Sequence, residues 1–305
     1  MQSNATQISS TFHPRARFNG YNRPPDAVVV SMDNVLFFVH LSAVAAASTN
    51  AFAGQIHTTT LTPGSRPTVL VAAEATAALE VVLHTMYGLP IQHLAPTFAT
   101  LQAATTALLH RYAVAAPPLL APSSSSNPHP CPLFAALLSH AAHGGIPCAR
   151  DVYTLAARNR LEPLAVAVSE HLISFDTSTI SDDFADALGG VYLRRLVVML
   201  MDRTAAFKQI VIAFPGPLHP EQPACRPSEQ QNEVLTPWAF ASAKLITEAR
   251  ADMSTIEIET SLNPLAYRCT CTECRQSIQA QIRHIVQQWA AVKVCAIGQE
   301  DNLRC

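Results

Sequence analysis

The stretch DAVVVSMDNVLFFVHLSAVAAAS, residues 26–48, decides the fold of the N-terminal third of the chain. Its two apolar runs, residues 28–30 and 35–39, consist mainly of β-branched and aromatic side chains, which favour strands. Asp33 and Asn34 lie between the runs and tolerate positive φ, so this pattern predicts a β-hairpin. The small residues of LSAVAAAS then favour a short helix.

Further strand and helix signals follow downstream. Residues 50–55 have the composition of a second short helical piece, and residues 68–71 predict a third strand after a polar loop. In EATAALEVVLHTMYGLP, residues 74–90, apolar residues recur at helical spacing until a Gly-Leu-Pro sequence ends the helix. Residues 98–114 predict a further amphipathic helix.

The rest of the chain is predicted to be mainly helical. Residues 150–174 form two amphipathic segments that divide near Glu162 and Pro163. Another helix is centred on residues 193–200, and QSIQAQIRHIVQQWAAVKV, residues 276–294, predicts the last one.

These signals predict an α+β fold: a small mixed sheet flanked by helices, followed by a mostly helical domain. Composition shifts and Pro-rich stretches set the expected boundaries. The predicted segments are a disordered tail at 1–24, the α+β domain at 25–116, a Pro/Ser linker at 117–132, a helical domain at 133–214, a linker or loop at 215–237, and a helical, cysteine-containing region at 238–305.

Composition restricts the classes of partner. The 305 residues carry a net charge of −2, and only 14% of them are charged, so no basic surplus drives binding to nucleic acid. No apolar run approaches the ~20 residues that cross a bilayer, and no apolar core of a signal peptide opens the chain. We therefore expect a cytoplasmic or nuclear protein that binds neither nucleic acid nor membrane.

No catalytic motif is present in the sequence. The ten glycines form neither a dinucleotide-binding fingerprint nor a phosphate loop, and there is no GxSxG or HExxH. Asp182, Asp183 and Asp186 could pair as acid and base, but they follow Ser181 at a predicted helix start, where the helix dipole accounts for them. We therefore expect a protein that is not an enzyme, with no catalytic residue and no cofactor.

His40 stands at the junction of the predicted hairpin and helix. No Cys, Asp or Glu at ligand or relay spacing accompanies it, which disfavours a metal or catalytic role. A structural role, with the ring bonding backbone groups, is the better interpretation.

Cys269, Cys271 and Cys274 form the sharpest local cluster of the chain, in CTCTEC. Three thiolates this close could hold zinc, with Cys225, His284 or Cys295 as a fourth ligand. The second paired set of strong zinc modules is missing, so reduced, buried cysteines are the rival interpretation. We assign no metal ligand from the sequence, and the question of zinc stays open.

The segment from residue 25 to about residue 116 resembles the BTB/POZ domain. The matching pieces are Asp26 at a strand start, LFFVH with His40, the small-residue helix, Ser48 to Phe52, a strand, and a helix that ends at Tyr87 and a glycine. The downstream segment DVYTLAARNRLEPLAVAVSEHLIS is similar to the helical pair that follows this domain in a fungal, basidiomycete-type group.

The resemblance implies a protein–protein interaction module. It would self-associate as a homodimer, or bind a protein partner as a heteromer, through residues 25–116. Family members often act as adaptors for cullin-type ubiquitin ligases, although the loop at residues 58–67 lacks a clear hydrophobic-x-Glu contact motif. The alternative hypothesis is a structural or regulatory protein stabilised by zinc at the cysteine cluster.

Overall fold

The structure is a computed structural model that divides the chain into two compact units, Met1–Leu164 and Ala165–Cys305, here called unit 1 and unit 2. The α+β fold class is confirmed. The residues that the structure describes are 7–18, 20–21, 23–56, 67–115, 131–213, 220–221 and 225–295.

Unit 1 contains a four-stranded mixed sheet in the order β1-β3-β2-β4. The predicted hairpin and third strand are confirmed: β2 and β3 are antiparallel, and β4 runs parallel to β2. Asn34 adopts the expected positive φ, 62°, in the hairpin turn. The strands are β1 (Gln7–Ile8), β2 (Ala27–Val30), β3 (Val35–Val39) and β4 (Thr68–Val71).

One face of this sheet forms the core of unit 1. Val29, Phe37 and Leu70 stand side by side in the register of β2, β3 and β4, and none of them is exposed to solvent. Helix α1 (Leu41–Ala47) continues directly from β3, and α2 (Thr76–Met86) follows β4. Both helices bury apolar side chains, so the sheet and helices share one hydrophobic core.

The predicted helix at residues 98–114 is present as α3 (Phe98–Thr106), which continues as a π-helical turn through Arg111. Helices α4 (Pro132–His143) and α5 (Gly145–Arg158) follow, and a break before Glu162 leads into α6 (Glu162–Ser169). Because α4 packs against α2 and α3, the boundary between units falls after Leu164 rather than in the predicted linker, most of which lies outside the described residues.

The prediction of a helical piece at residues 50–55 is wrong in its handedness. Ala51, Phe52 and Ala53 have φ values of 55°, 53° and 57°, so they form a left-handed turn. Ser48 bonds this turn to a residue distant in sequence: its Oγ accepts from the Phe52 N–H at 2.8 Å and donates to the Tyr112 carbonyl at 2.7 Å. A sequence pattern of small residues cannot report such a tertiary constraint.

The prediction of a disordered tail at 1–24 is also wrong for the described part of that segment. β1 pairs with β3, and the Phe38 N–H donates to the Phe12 carbonyl at 2.8 Å. The Phe12 side chain is completely buried, and its ring lies 5.1 Å from that of Phe18. These aromatic residues are widely spaced among polar ones, so they leave no periodic signal.

The secondary structure of unit 2, in its described residues, consists of helices with no β-strand. Its core joins large side chains from four long helices, among them Phe207, Trp238, Ile258 and Trp289. Helix α7 (Asp182–Val211) bends at Gly189, where φ is 70°. The others are α8 (Pro227–Thr247), α9 (Thr255–Ala266) and α10 (Thr272–Ala290).

The predicted loop at 215–237 is wrong from Pro227 onward, where α8 begins. Pro227 occupies the first helical turn, whose N–H groups need no partner within the helix. Pro237 lies inside the same helix, where its missing N–H removes one helical hydrogen bond, and the following Trp238 is buried.

Candidate functional sites

The second face of the sheet is also apolar, and its exposure differs along the sheet: Val28 is buried, whereas Leu36 and Phe38 are half-buried. The register places seven side chains there, and all of them are aliphatic or aromatic. Val69 and Val71 are each 63% exposed. We call this surface the outer face; it consists of Ile8, Val28, Val30, Leu36, Phe38, Val69 and Val71.

The sequence carries a signal for the outer face that the predictions above do not include. Strands with one solvated face alternate apolar and polar residues, whereas β2, β3 and β4 read AVVV, VLFFV and TVLV. Unbroken apolar runs indicate strands that are covered on both faces. The exposure of Val69 and Val71 is therefore at odds with the composition of the strand that carries them.

The free edge of this sheet at β4 is partly closed by a side chain. The Val71 N–H donates to Gln55 Oε1 at 2.7 Å, and Gln55 Nε2 donates to the Val71 carbonyl at 2.8 Å. The amide of Gln55 thus takes the place of a neighbouring strand at this position. At Val71, therefore, the edge of β4 is not free to pair with a further strand.

His40 lies in a structural environment. Its ring Nε2 is 2.8 Å from the Arg23 carbonyl, its Nδ1 is 3.2 Å from the Tyr87 hydroxyl, and its backbone N–H donates to the same hydroxyl at 2.6 Å. The ring also stacks on Tyr21 with centroids 4.7 Å apart. These bonds occupy both ring nitrogens and join the end of β3 to the end of α2, as the structural interpretation expects.

The acidic residues at the start of α7 have the positions that the sequence predicts. Ser181 is the N-cap, and its Oγ accepts from the Phe184 N–H at 3.3 Å. Asp182 and Asp183 occupy the first turn, where the helix dipole stabilises negative charge.

A cluster of three thiols lies in unit 2, where the segment before α8 meets the start of α10. The sulfur atoms of Cys225, Cys271 and Cys274 all lie within 4.8 Å of one another. The Sγ atoms of Cys225 and Cys274 are 3.7 Å apart. We call these three residues the thiol cluster; Cys274 is completely buried, and the other two are half-buried.

The local sequence explains how two of these thiols meet. Cys271 is the N-cap of α10 and Cys274 is its third residue, so both side chains lie on one side of the first turn. The third thiol is that of Cys225, in the segment before α8. A hydrogen bond joins α8 to the segment before α10 nearby: the Thr270 N–H donates to Gln230 Oε1 at 2.9 Å.

Burial is the main influence on these sulfur atoms. It raises the pKa of the Cys274 thiol to about 12, with a further contribution from the neighbouring thiols of Cys225 and Cys271. Burial also raises the pKa of Cys225. Burial therefore favours the protonated thiols of Cys225 and Cys274 unless a cation offsets the repulsion between thiolates.

The structure changes the ligand set that the sequence suggested. Cys225, one of three candidates for a fourth ligand, joins Cys271 and Cys274, whereas Cys269 is buried outside the group. Cys295 forms a disulfide and so offers no free thiol. Among the described residues, His284 is not part of any such group.

Comparison with known proteins identifies no relative. No family model, no curated protein and no solved structure matches this chain. In the part of the chain that the structure describes, no helix is both long and apolar enough to cross a membrane.

Proposed function

We propose that unit 1 is a protein-interaction domain of the BTB/POZ kind, which pairs with a second copy of the chain through its outer face. The exposure of Val69 and Val71 on a face made only of apolar side chains carries this proposal. Covering such a surface is favourable by roughly 25 cal/mol per Å² of apolar area. Large apolar side chains that are exposed together, as Val69 and Val71 are on β4, are typical of interaction surfaces.

The order of the elements supports the same proposal. A hairpin leads through His40 into a short helix, the turn at Ser48 to Phe52 follows, and β4 then returns parallel to β2. This is the succession that the resemblance to BTB/POZ domains implies for residues 25–116. The bonds from His40 to Tyr87 connect two of the positions on which the resemblance rests.

A second copy of the chain is the partner that the chemistry of the outer face favours. A two-fold interface places the same patch on both sides, so any charge on the patch would face an identical charge. The seven residues of the outer face include no ionisable side chain. Two copies can therefore meet there without electrostatic repulsion, and both bury apolar area.

The test is light scattering after size separation of the full chain. We expect the wild-type chain to be a dimer, and the double variant Val69→Lys with Val71→Lys to be a monomer, because paired lysines would face each other across the interface. Phe240→Lys is the matched control: Phe240 is 73% exposed on α8 in unit 2, and this variant should remain dimeric. Circular dichroism would establish that all variants are folded.

A folded double variant that remains a dimer would show that the copies pair elsewhere. A monomeric wild-type chain would contradict self-association and leave the outer face to a different protein. Recruitment of a cullin stays a prediction of the resemblance, and copurification of a cullin with the tagged chain is its test.

A further inference from the structure

We propose that the thiol cluster, Cys225, Cys271 and Cys274, binds one Zn²⁺ ion that joins the segment before α8 to the start of α10. This inference concerns unit 2 and is independent of the interaction proposed for unit 1. It rests on the position of three sulfur atoms from two separate segments of the chain.

The spacing of the sulfur atoms suits a tetrahedral zinc site. Zinc–sulfur bonds of about 2.3 Å place two tetrahedral ligands about 3.8 Å apart. The Sγ atoms of Cys225 and Cys274 are already 3.7 Å apart, and no pair in the cluster exceeds 4.8 Å. Binding an ion therefore requires only rotation of half-buried side chains and no movement of a helix.

The surroundings of the cluster also favour bound thiolates. Cys271 and Cys274 lie at the N-terminus of a 19-residue helix, whose dipole stabilises negative sulfur. Each thiol would release its proton to solvent as its bond to zinc forms. Soft thiolate ligands select zinc over magnesium or calcium, which prefer oxygen.

Three protein ligands leave one tetrahedral position, as in zinc sites that keep a water molecule or bind a further ligand. Cys269 is the nearest other cysteine in the sequence, but its buried thiol lies outside the group. The proposal therefore predicts that Cys269 is dispensable for binding the metal.

The structural effect of the ion would be to close a loop. Cys225 and Cys271 enclose all of α8 and α9, and both ends of this segment border the core that contains Trp238 and Ile278. A cross-link at that point holds the first turns of α8 and α10 together. Such an ion favours the folded state of unit 2, since the separated ligands of the unfolded chain bind it poorly.

The test uses the full chain purified with reductant. Elemental analysis should find about one zinc per chain, as a single site of this kind requires. Replacement of zinc by Co²⁺ should produce the thiolate-to-cobalt charge-transfer absorption. Cys225→Ser and Cys271→Ser should lose both signals, and Cys148→Ser, which changes a half-buried thiol of unit 1, should keep both.

Three results would overturn the proposed site or its ligand set. Cys269→Ala should retain zinc, and loss of zinc from that folded variant would overturn the three-ligand assignment. A wild-type chain that holds no zinc and shows no thiolate band with Co²⁺ would overturn the site itself. A disulfide between two cluster cysteines, found by mass spectrometry in chain kept with reductant, would do the same. The measurement on the wild-type chain does not depend on whether the serine variants fold.

Discussion

Two polar side chains, those of Asp33 and His40, bond the hairpin region to α2, the helix that follows β4. His40 bonds the Tyr87 hydroxyl at the end of α2, and Asp33 bonds the start of the same helix. Asp33 Oδ1 accepts from the Thr76 N–H at 2.9 Å and from Ser31 Oγ at 2.6 Å. Asp33 thus caps α2 from the turn of another element, since Ala75 at the N-cap position has no side chain that could do so.

We expect Asp33→Ala to lower the free energy of unfolding by about 1 kcal/mol at neutral pH, the usual effect of losing a helix cap. The hydrogen bond from Ser31, followed by those from Thr76, lowers the pKa of Asp33 in the folded state. The stabilisation is therefore present above the unfolded pKa, near 3.9, and is lost as the pH falls through the lower folded value.

Urea unfolding of the wild-type chain and Asp33→Ala between neutral and acid pH measures this effect. The difference between the two should shrink below about pH 4, because both chains then lack a charged cap. Asp151→Ala, a change at an exposed carboxylate on α5, should stay within about 0.5 kcal/mol of wild type. An equal difference at all pH values would contradict the charged cap.

The left-handed turn is the element in which local preference and tertiary structure conflict most. Three successive non-glycine residues with positive φ cost roughly 1–2 kcal/mol each. Two contacts with the end of the π-helical turn hold them: Asn50 Nδ2 donates to the Arg111 carbonyl at 2.7 Å, and the ring of Phe52 stacks on that of Tyr112 with centroids 4.1 Å apart. The packing of Phe52 and Tyr112 offsets the backbone cost.

We expect Ala53→Gly to stabilise the chain by up to about 1 kcal/mol, because glycine removes the steric cost of positive φ at an exposed position. Ala46→Gly, at an exposed position in right-handed α1, should instead destabilise it by about 0.5 kcal/mol. Thermal unfolding of the two variants compares them directly. Destabilisation of both by the same amount would mean that residue 53 is not left-handed.

At the scale of the whole molecule, the two candidate sites belong to different units. The outer face lies on the sheet of unit 1, and all three cysteines of the thiol cluster belong to unit 2. This separation makes the two proposals testable one at a time in the intact chain.

Removal of metal should act on unit 2. After chelation, we expect faster amide hydrogen exchange in the first turns of α8 and α10, since the cross-link between them is lost. The amides of β2 and β3 serve as the internal control, and their protection should not change. Mass spectrometry of the exchanged chain locates the effect, and an unchanged pattern at α8 and α10 would contradict a structural role for the ion.

Local sequence was sufficient wherever neighbouring residues decide the conformation. The hairpin around Asp33 and Asn34, the strand at 68–71 and the helix cap at Ser181 all follow from propensity and turn chemistry within a few residues. The closeness in sequence of Cys271 and Cys274 was also visible, although the helix that begins between them, at Thr272, starts four residues before the predicted one.

Only the tertiary structure decided the features that depend on residues distant in sequence. The left-handed turn depends on Tyr112, the burial of Phe12 depends on β3, and the thiol cluster needs Cys225 from a segment on the far side of two helices. Long-range packing can outweigh a local preference of about 1 kcal/mol, and it leaves no periodic trace in the sequence. The sequence by itself thus determined the α+β fold class and most of its elements, whereas the folded chain alone brings three thiols together and leaves Val69 and Val71 of the outer face exposed.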